Sequence, residues 1–305
     1  MPQTIIFHHY WPSPFSEKIR IIFGMKAIPW QSVEIPSMLP KPDLMPLTGG
    51  YRKTPVMQIG ADIYCDTQLI IRELERRFPE RPIVRRGTMA FPAAFWSDRP
   101  FFQATIPLLM GKVGHMLPEA FKADRSKMFP DRPFDYDAMK SVIPQMRDQW
   151  RAHLGFIDEN LMGDFLGGAA PDVNDAHAYM NVWFLANTLK DDADALLKEY
   201  PKTAEWAARV KAIGHGSFSK LEAADALAIA KAASPAAQPH TDPHEPNGRK
   251  PGDKVAITPD DYGRDTVTGE LIFSSAQEIA IRRHDPQVGE VAVHFPRAGF
   301  WVTPA

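Results

Sequence analysis

The order of short strands and helices in residues 1–84 is the feature that most constrains the fold of this chain. An apolar strand at 4–7 precedes a helix with Ser16 as a candidate cap, and an alternating strand follows at 30–35. After a loop with several prolines, the segment 56–65 reads as two short strands around a Gly-Ala-Asp turn, and a second amphipathic helix follows. This β-α-β, then β-β-α order predicts an α/β domain.

Residues 88–234 carry helical patterns only. The clearest helix start is Asp172, because Asp175 stands three residues later and an apolar stripe follows. A short acceptor at the cap and a carboxylate at the third helical position form the reciprocal arrangement called a capping box. We therefore expect an all-helical second domain.

A change of composition at residues 235–251 marks a boundary. Five prolines lie among polar residues without periodic apolar positions, which predicts an extended linker. Residues 252–305 then alternate at period two and predict a small all-β, barrel-like module of four or five strands. Because a module of about 55 residues is marginal by itself, we expect it to pack on the helical domain.

Composition excludes several classes of function. With 35 basic and 37 acidic residues, the chain has no global attraction for nucleic acid or anionic lipid. No apolar run reaches the ~20 residues that span a bilayer, the start lacks a secretion signal, and Cys65 has no disulfide partner. We expect a cytoplasmic protein. His8 and His9 would point to opposite faces of a strand, and no metal site is predicted.

Four motifs occur in a fixed order along the chain. They are SPFSEKIR at 13–20, KTP at 53–55, DTQLIIRELERRFP at 66–79 and PDVND at 171–175. In this order they resemble the cytosolic glutathione transferase family over about residues 3–220. The resemblance implies a thioredoxin-like N-terminal domain, an all-α C-terminal domain, glutathione as co-substrate and a homodimer. It says nothing about the β-rich tail.

The resemblance also implies roles for individual residues. Ser13 stands where serine- and cysteine-type members carry the catalytic residue. Pro55 corresponds to the family's cis-proline, which would direct the backbone of Thr54 toward the cysteinyl unit of glutathione. Asp66 and Thr67 replace the usual Glu-Ser pair and would bind the γ-glutamyl end, where the start of a helix favours an anion.

Further residues complete the implied glutathione site. Lys41 and Lys53 are candidates for the glycyl carboxylate, and Phe15 belongs to the same set. His9 stands about where tyrosine-type members carry their tyrosine, although Tyr10 is adjacent, so the resemblance favours the serine mechanism.

The predicted function is that of a glutathione S-transferase. A hydrogen bond from Ser13 would stabilise the glutathione thiolate, which attacks a small apolar electrophile between the two main domains. Serine cannot form a mixed disulfide, so addition or substitution is favoured over thiol-disulfide exchange. Roughly two residues of an aromatic and methionine-rich group are expected to contact the electrophile. The group comprises Phe91, Phe95, Trp96, Phe101, Phe102, Met110 and Met116.

Two other hypotheses remain open. The protein could bind glutathione without turnover and use the β module to recruit a protein partner. Alternatively, the tail could cover the active site and narrow the choice of substrate. Neither the electrophile nor the reaction subtype follows from the sequence.

Overall fold

The N-terminal sheet is built around β1. In the computed structural model, which describes residues 4–129 and 134–305, β1 pairs in parallel with β2 and antiparallel with β3, and β3 pairs antiparallel with β4. The strands are β1 Ile5–His9, β2 Trp30–Glu34, β3 Val56–Ile59, β4 Asp62–Cys65, β5 Phe218–Lys220, β6 Lys254–Pro259, β7 Val267–Ser274, β8 Glu278–Asp285, β9 Gly289–Pro296 and β10 Phe300–Pro304. The predicted thioredoxin-like order is confirmed for the first domain.

The first three helices and the last pack on this sheet, and the rest form the helical domain. The described residues contain twelve α-helices. They are α1 Pro14–Lys26, α2 Met45–Thr48, α3 Thr67–Arg77, α4 Ala90–Trp96, α5 Phe102–Val113, α6 Glu119–Met128, α7 Tyr136–Ser141, α8 Ile143–Asn160, α9 Val173–Thr188, α10 Lys190–Leu197, α11 Pro201–Ile213 and α12 Ala223–Ala232. A π-helical turn, Ser97–Phe101, joins α4 to α5. No helix of the described residues is both long and apolar enough to cross a membrane.

Side-chain caps are found at the starts of α1 and α9, where the sequence predicts them, but the capping residue of α1 differs from the predicted one. The cap of α1 is Ser13 and not Ser16, since the Ser16 N–H donates to Ser13 Oγ at 3.2 Å. At α9 the capping box is present: Asp172 accepts from the Asn174 N–H, and Asp175 accepts from the Asp172 N–H at 2.8 Å. Both helices therefore satisfy N–H groups that lack partners within the helix.

The C-terminal strands extend the N-terminal sheet. β9 pairs in parallel with β4, giving ten strands in the order β10, β6, β7, β8, β9, β4, β3, β1, β2, β5. Closure of the expected barrel is not observed, since no hydrogen-bonded pair joins β10 to β9 among the described strands. The unpaired N–H and C=O groups on the edge of β4 are instead satisfied by β9.

Two apolar cores lie on opposite faces of this sheet. Adjacent side chains of β1 point to opposite faces and so lie in different cores. Phe7 lies in the core that is shared with α1, α3 and the helical domain. Ile6 lies in the second core with Val293, Phe295 and two alanines of α12, Ala226 and Ala230. The tail therefore packs mainly on the sheet and not, as expected, on the helical domain.

The end of the segment predicted as helical also belongs to the sheet. β5 pairs in parallel with β2, and Gln58 donates from Nε2 to the carbonyl of Ala226 in α12 at 2.9 Å. The three residues of β5 are exposed, and a strand this short lacks the alternating pattern by which strands are recognised.

Candidate functional site

Two adjoining cavities lie where the sheet meets the helical domain. The larger, of about 700 Å³, is bordered by the β1–α1 loop, the loop after β2, α5 and α6. The smaller, of about 50 Å³, lies at the start of α3 and is closed by two loops of the C-terminal strands. Phe15, Lys53, Thr54 and Tyr262 border both cavities and form the wall between them.

Ser13 borders the larger cavity at the end of the β1–α1 loop. Its N–H donates to the carbonyl of Tyr10 at 3.2 Å, and its Oγ accepts from the Ser16 N–H. Pro14 occupies the first helical position, where the absence of an N–H costs nothing. A hydroxyl that accepts at the cap still has its own proton to donate. The Ser13 O–H can therefore donate to an anion in this cavity.

Lys41 joins Thr54 on the wall of the larger cavity. The Thr54–Pro55 peptide bond is cis, as predicted. Lys41 Nζ donates to Thr54 Oγ1 at 2.9 Å and to the Arg52 carbonyl at 2.8 Å. Burial, followed by the charges of Arg125 and Arg52, lowers the pKa of Lys41 to about 7. No described carboxylate lies within ion-pair distance of its ammonium, so the site can accept a ligand carboxylate.

Asp66 and Thr67 border the smaller cavity at the start of α3. Asp66 is the N-cap, and its Oδ1 accepts from the Gln68 N–H at 2.9 Å. The pKa of Asp66 is raised to about 6, mainly by burial. The hydrogen bond from the Gln68 N–H lowers this pKa, and the nearby charge of Asp98 raises it. Thr67 is the first helical residue, where backbone N–H groups and the helix dipole favour an anion.

Lys53 is paired with a residue of the C-terminal strands. Its ammonium contacts the carboxylate of Asp261 and lies 4.2 Å from the ring centroid of Tyr262. Phe15, beside it, packs edge-on against Phe102 with ring centroids 4.9 Å apart. The cation expected to bind a ligand carboxylate thus already has an anionic partner from this chain.

All of the predicted glutathione-site residues border one cavity or both. Ser13 and Lys41 border only the larger cavity. Pro55, Asp66 and Thr67 border only the smaller. The other three border both, so a ligand that contacts the whole set has to extend along the wall between the two cavities.

The larger cavity has a predominantly apolar lining. Phe102 and Met110 are the two residues of the predicted aromatic and methionine-rich group that border it, and Phe95 borders the smaller cavity. The other four lie outside both linings: Phe91, Trp96, Phe101 and Met116. Further apolar lining comes from Ile106, Leu117, Phe121, Phe129, Phe134 and Phe184.

Sequence reasoning missed the residues that the C-terminal strands bring to the site. Asp261 and Tyr262 come from the β6–β7 loop, Gly299 from the β9–β10 turn and Phe300 from the start of β10. In the sequence Asp261 and Tyr262 read only as turn residues. A turn pattern indicates where the chain reverses and not which surface it covers, so no local signal identifies them.

His9 lies away from both cavities. Its Nε2 hydrogen-bonds Ser32 Oγ at 2.8 Å, and its Nδ1 lies 3.1 Å from Arg20. Burial, and then the charge of Arg20, lowers the pKa of His9 to about 3. Among the described residues, no group of three or more histidine, cysteine or acidic side chains is arranged to hold a metal ion.

Comparisons with known proteins agree with this architecture. Residues 7–82 match the family model described as the N-terminal domain of glutathione S-transferase. Glutathione S-transferase U4 of Arabidopsis thaliana is 24% identical over 89 residues, which are 29% of this chain and only 40% of the plant protein. A glutathione S-transferase structure from Rhodospirillum rubrum shares the fold, with a TM-score of 0.52 and 20% identity over 68% of this chain and 88% of that one.

A further structure matches the whole chain, including the C-terminal strands. It is a GST-like protein from Pseudomonas syringae, 39% identical, with a TM-score of 0.77 and 100% of both chains covered. Identity at this level over the full length, together with the domain match, shows that the chain belongs to the glutathione S-transferase family.

Proposed function

We propose that this protein is a glutathione transferase in which the Ser13 hydroxyl stabilises the thiolate of glutathione. The thiolate attacks a small, largely apolar electrophile in the larger cavity. The observation that carries the proposal is the position of Ser13: its hydroxyl borders the same cavity as Lys41, Thr54 and an aromatic lining. A hydroxyl that can donate a hydrogen bond to an anion, a cation and an apolar volume therefore meet in one cavity.

The reaction needs the ionised thiol, because the neutral thiol is a poor nucleophile. With a free thiol pKa of about 8.5, only about 3% is ionised at pH 7. A hydrogen bond to the anion contributes about 1.5–3 kcal/mol and lowers the thiol pKa by about one to two units. About a quarter to three quarters of the bound thiol is then ionised at pH 7.

The two ends of glutathione would bind in the two cavities, the γ-glutamyl end in the smaller and the glycyl end in the larger. The γ-glutamyl carboxylate would accept from the Thr67 N–H at the start of α3, and Asp66 would take the ammonium. The Thr54 backbone would contact the cysteinyl unit. Lys41 would pair with the glycyl carboxylate, which supplies the anion that this buried ammonium lacks.

Two measurements test the proposal. Calorimetry should detect glutathione binding, and turnover should be seen with a chromogenic electrophile. Because Ser13 also caps α1, Ser13→Ala loses about 1 kcal/mol of helix stability, whereas glycine at a cap loses only about a few tenths. Ser13→Gly is therefore the cleaner variant, and it should lose turnover while its melting temperature stays near that of the wild type. Turnover equal to the wild type in Ser13→Gly would reject the mechanism.

The rival hypothesis is a protein that binds glutathione without turnover and recruits a partner through its tail. Deleting residues 235–305 does not separate the two, because β9 is paired with β4 and the deletion would expose the second core. Point variants and a screen of electrophiles separate them instead. Glutathione binding without turnover of any electrophile tested would favour the rival.

The proposal includes a homodimer, as the family resemblance implies. The edge of β4 is already paired with β9, so edge-to-edge pairing along β4 is not the route of association. Sedimentation equilibrium would check the homodimer.

A further inference from the structure

The β6–β7 loop lies across the smaller cavity and is held there on both sides. Asp260 pairs with Arg99 of the π-helical turn at 2.6 Å. The Gly263 N–H donates to the carbonyl of Met128 in α6 at 2.7 Å. The Tyr262 ring stacks on Phe129 with centroids 5.0 Å apart and planes at 15°. The loop is thus anchored to the helical domain next to the glutathione-site residues.

The same loop supplies the anion that neutralises Lys53. Only 10% of the Lys53 side chain is exposed, with the Asp261 carboxylate at its ammonium and the Tyr262 ring beside it. Lys41, the other candidate for the glycyl carboxylate, donates only to uncharged oxygens of Arg52 and Thr54 among its hydrogen bonds in the described residues. The two lysines therefore differ in one respect: Lys53 already holds a carboxylate of its own chain.

We propose that Asp261 competes with the glycyl carboxylate of glutathione for Lys53. The inference rests on the proposed function, since it assumes that the thiol is glutathione. Asp261 is then a specificity residue supplied by the C-terminal strands. It weakens the contribution of Lys53 to binding of the glycyl carboxylate, so that this carboxylate depends mainly on Lys41.

The physical basis is that one ammonium faces two carboxylates. A ligand carboxylate that approaches Lys53 must either displace Asp261 or share the ammonium with it at the cost of like-charge repulsion. Asparagine at 261 keeps the shape and removes the charge, which leaves Lys53 to pair with the ligand. Asp261 remains partly exposed, and a pair of this kind contributes about twofold to fivefold in affinity.

The decisive experiment compares two ligands that differ only in the glycyl carboxylate. S-methylglutathione and its glycyl ethyl ester carry no ionisable thiol, and calorimetry gives the Kd of each with the full-length wild type and with Asp261→Asn. We expect Asp261→Asn to bind S-methylglutathione about twofold to fivefold more tightly and the ester unchanged. Asp261→Lys should tighten S-methylglutathione further.

Two controls keep the test specific. Thr266→Ala alters the same loop at an exposed hydroxyl that hydrogen-bonds Thr258 outside the cavity, and it should leave both Kd values unchanged. In a Lys53→Gln background the Asp261→Asn change should have no effect, because the contested ammonium is gone. Thermal melting confirms that each variant is folded, and Asp261→Ser replaces Asp261→Asn if the latter is not.

The outcomes separate the two proposals. Binding of S-methylglutathione that is unchanged or weaker in Asp261→Asn, or equal tightening of the ester, would overturn the competition. Failure of glutathione and S-methylglutathione to bind the wild type and every folded variant would reject the proposed function, and this inference with it.

Discussion

His294 of β9 and Asp62 of β4 are 232 residues apart in sequence, yet His294 Nε2 lies 3.1 Å from Asp62 Oδ1. The other ring nitrogen lies 2.7 Å from Glu278 Oε1, and the ring stacks on Tyr64 with centroids 4.5 Å apart. A protonated imidazole between two carboxylates therefore links the C-terminal strands to the N-terminal sheet. All of these groups except Glu278 are buried, so solvent screens the link only weakly.

The stability of this link should depend on pH. Burial alone would lower the pKa of His294, but the hydrogen bonds to Asp62 and Glu278, and their charges, raise it to about 9. The protonated His294 therefore contributes fully to the free energy of unfolding below about pH 6.5. This contribution is lost as the pH rises through about 9. We expect the free energy of unfolding to fall by up to about 3 kcal/mol over this interval in urea denaturation. His294→Gln should lack the slope, and parallel profiles for the two proteins would contradict the prediction.

Glutathione affinity should also depend on pH through Lys41. Its pKa is lowered to about 7, so the ammonium that would pair with the glycyl carboxylate is lost as the pH rises above that value. The Kd of S-methylglutathione should rise by about tenfold between about pH 6 and 9. Lys41→Arg stays charged throughout and should give a nearly flat profile. The same slope in both proteins would show that another group is responsible.

The buried pair Arg52–Asp124 should be essential for stability. The pair joins the segment that precedes β3 to α6, and only 5% of the Arg52 and 8% of the Asp124 side chain is exposed. Asp124 also accepts a hydrogen bond from the Leu39 N–H. Asp124→Asn leaves the Arg52 charge unpaired and should cost about 3–5 kcal/mol in urea denaturation. The double variant Arg52→Met, Asp124→Leu should recover part of this, because the Arg52 charge is removed while Arg125 and the Leu39 N–H still lose their acceptor. A loss below about 1 kcal/mol in Asp124→Asn would disprove the assignment.

Two helical glycines should respond in opposite directions to alanine. A Cβ on Gly24 would lie 2.2 Å from the carbonyl oxygen of Gly214. Gly24→Ala should therefore lower the free energy of unfolding by roughly 1–3 kcal/mol, because α1 is pushed away from the backbone at Gly214. A Cβ on Gly155 of α8 would meet only the Tyr200 hydroxyl at 3.6 Å. Gly155→Ala should therefore stabilise by about 0.5–1 kcal/mol. Thermal melting of both variants gives the comparison, and shifts in the same direction would refute it.

The parts of the fold that the sequence predicted are those encoded over a few residues. The capping box at Asp172 and Asp175 and the strand periodicities depend on neighbouring side chains, whereas the cis bond before Pro55 was implied by the family resemblance. Ser13 was selected as a site residue, although its role as the cap of α1 was assigned to Ser16. Local signals of this kind are readable because propensity and hydrogen bonding act within one turn.

The parts that could not be predicted depend on distant pairing. Any apolar strand of period two can in principle pair with an unpaired edge, so the sequence of β9 did not indicate that its partner is β4. The contact of Asp261 with Lys53 spans 208 residues and follows from that pairing. The β6–β7 loop at the smaller cavity was missed for this reason, whereas Ser13, Asp66 and Thr67 were selected from the sequence as candidate site residues.

Because β4 is completed by β9, the order of synthesis bears on how the chain reaches its native state. Asp62 leaves the ribosome 232 residues before His294, an interval of roughly 10 to 50 seconds at about 5–20 residues per second. During that time the edge of β4 and the apolar face beside it have no partner, so they are available to chaperones and to other nascent chains. The N-terminal domain, although first to be translated, becomes fully native only after most of the C-terminal strands have emerged.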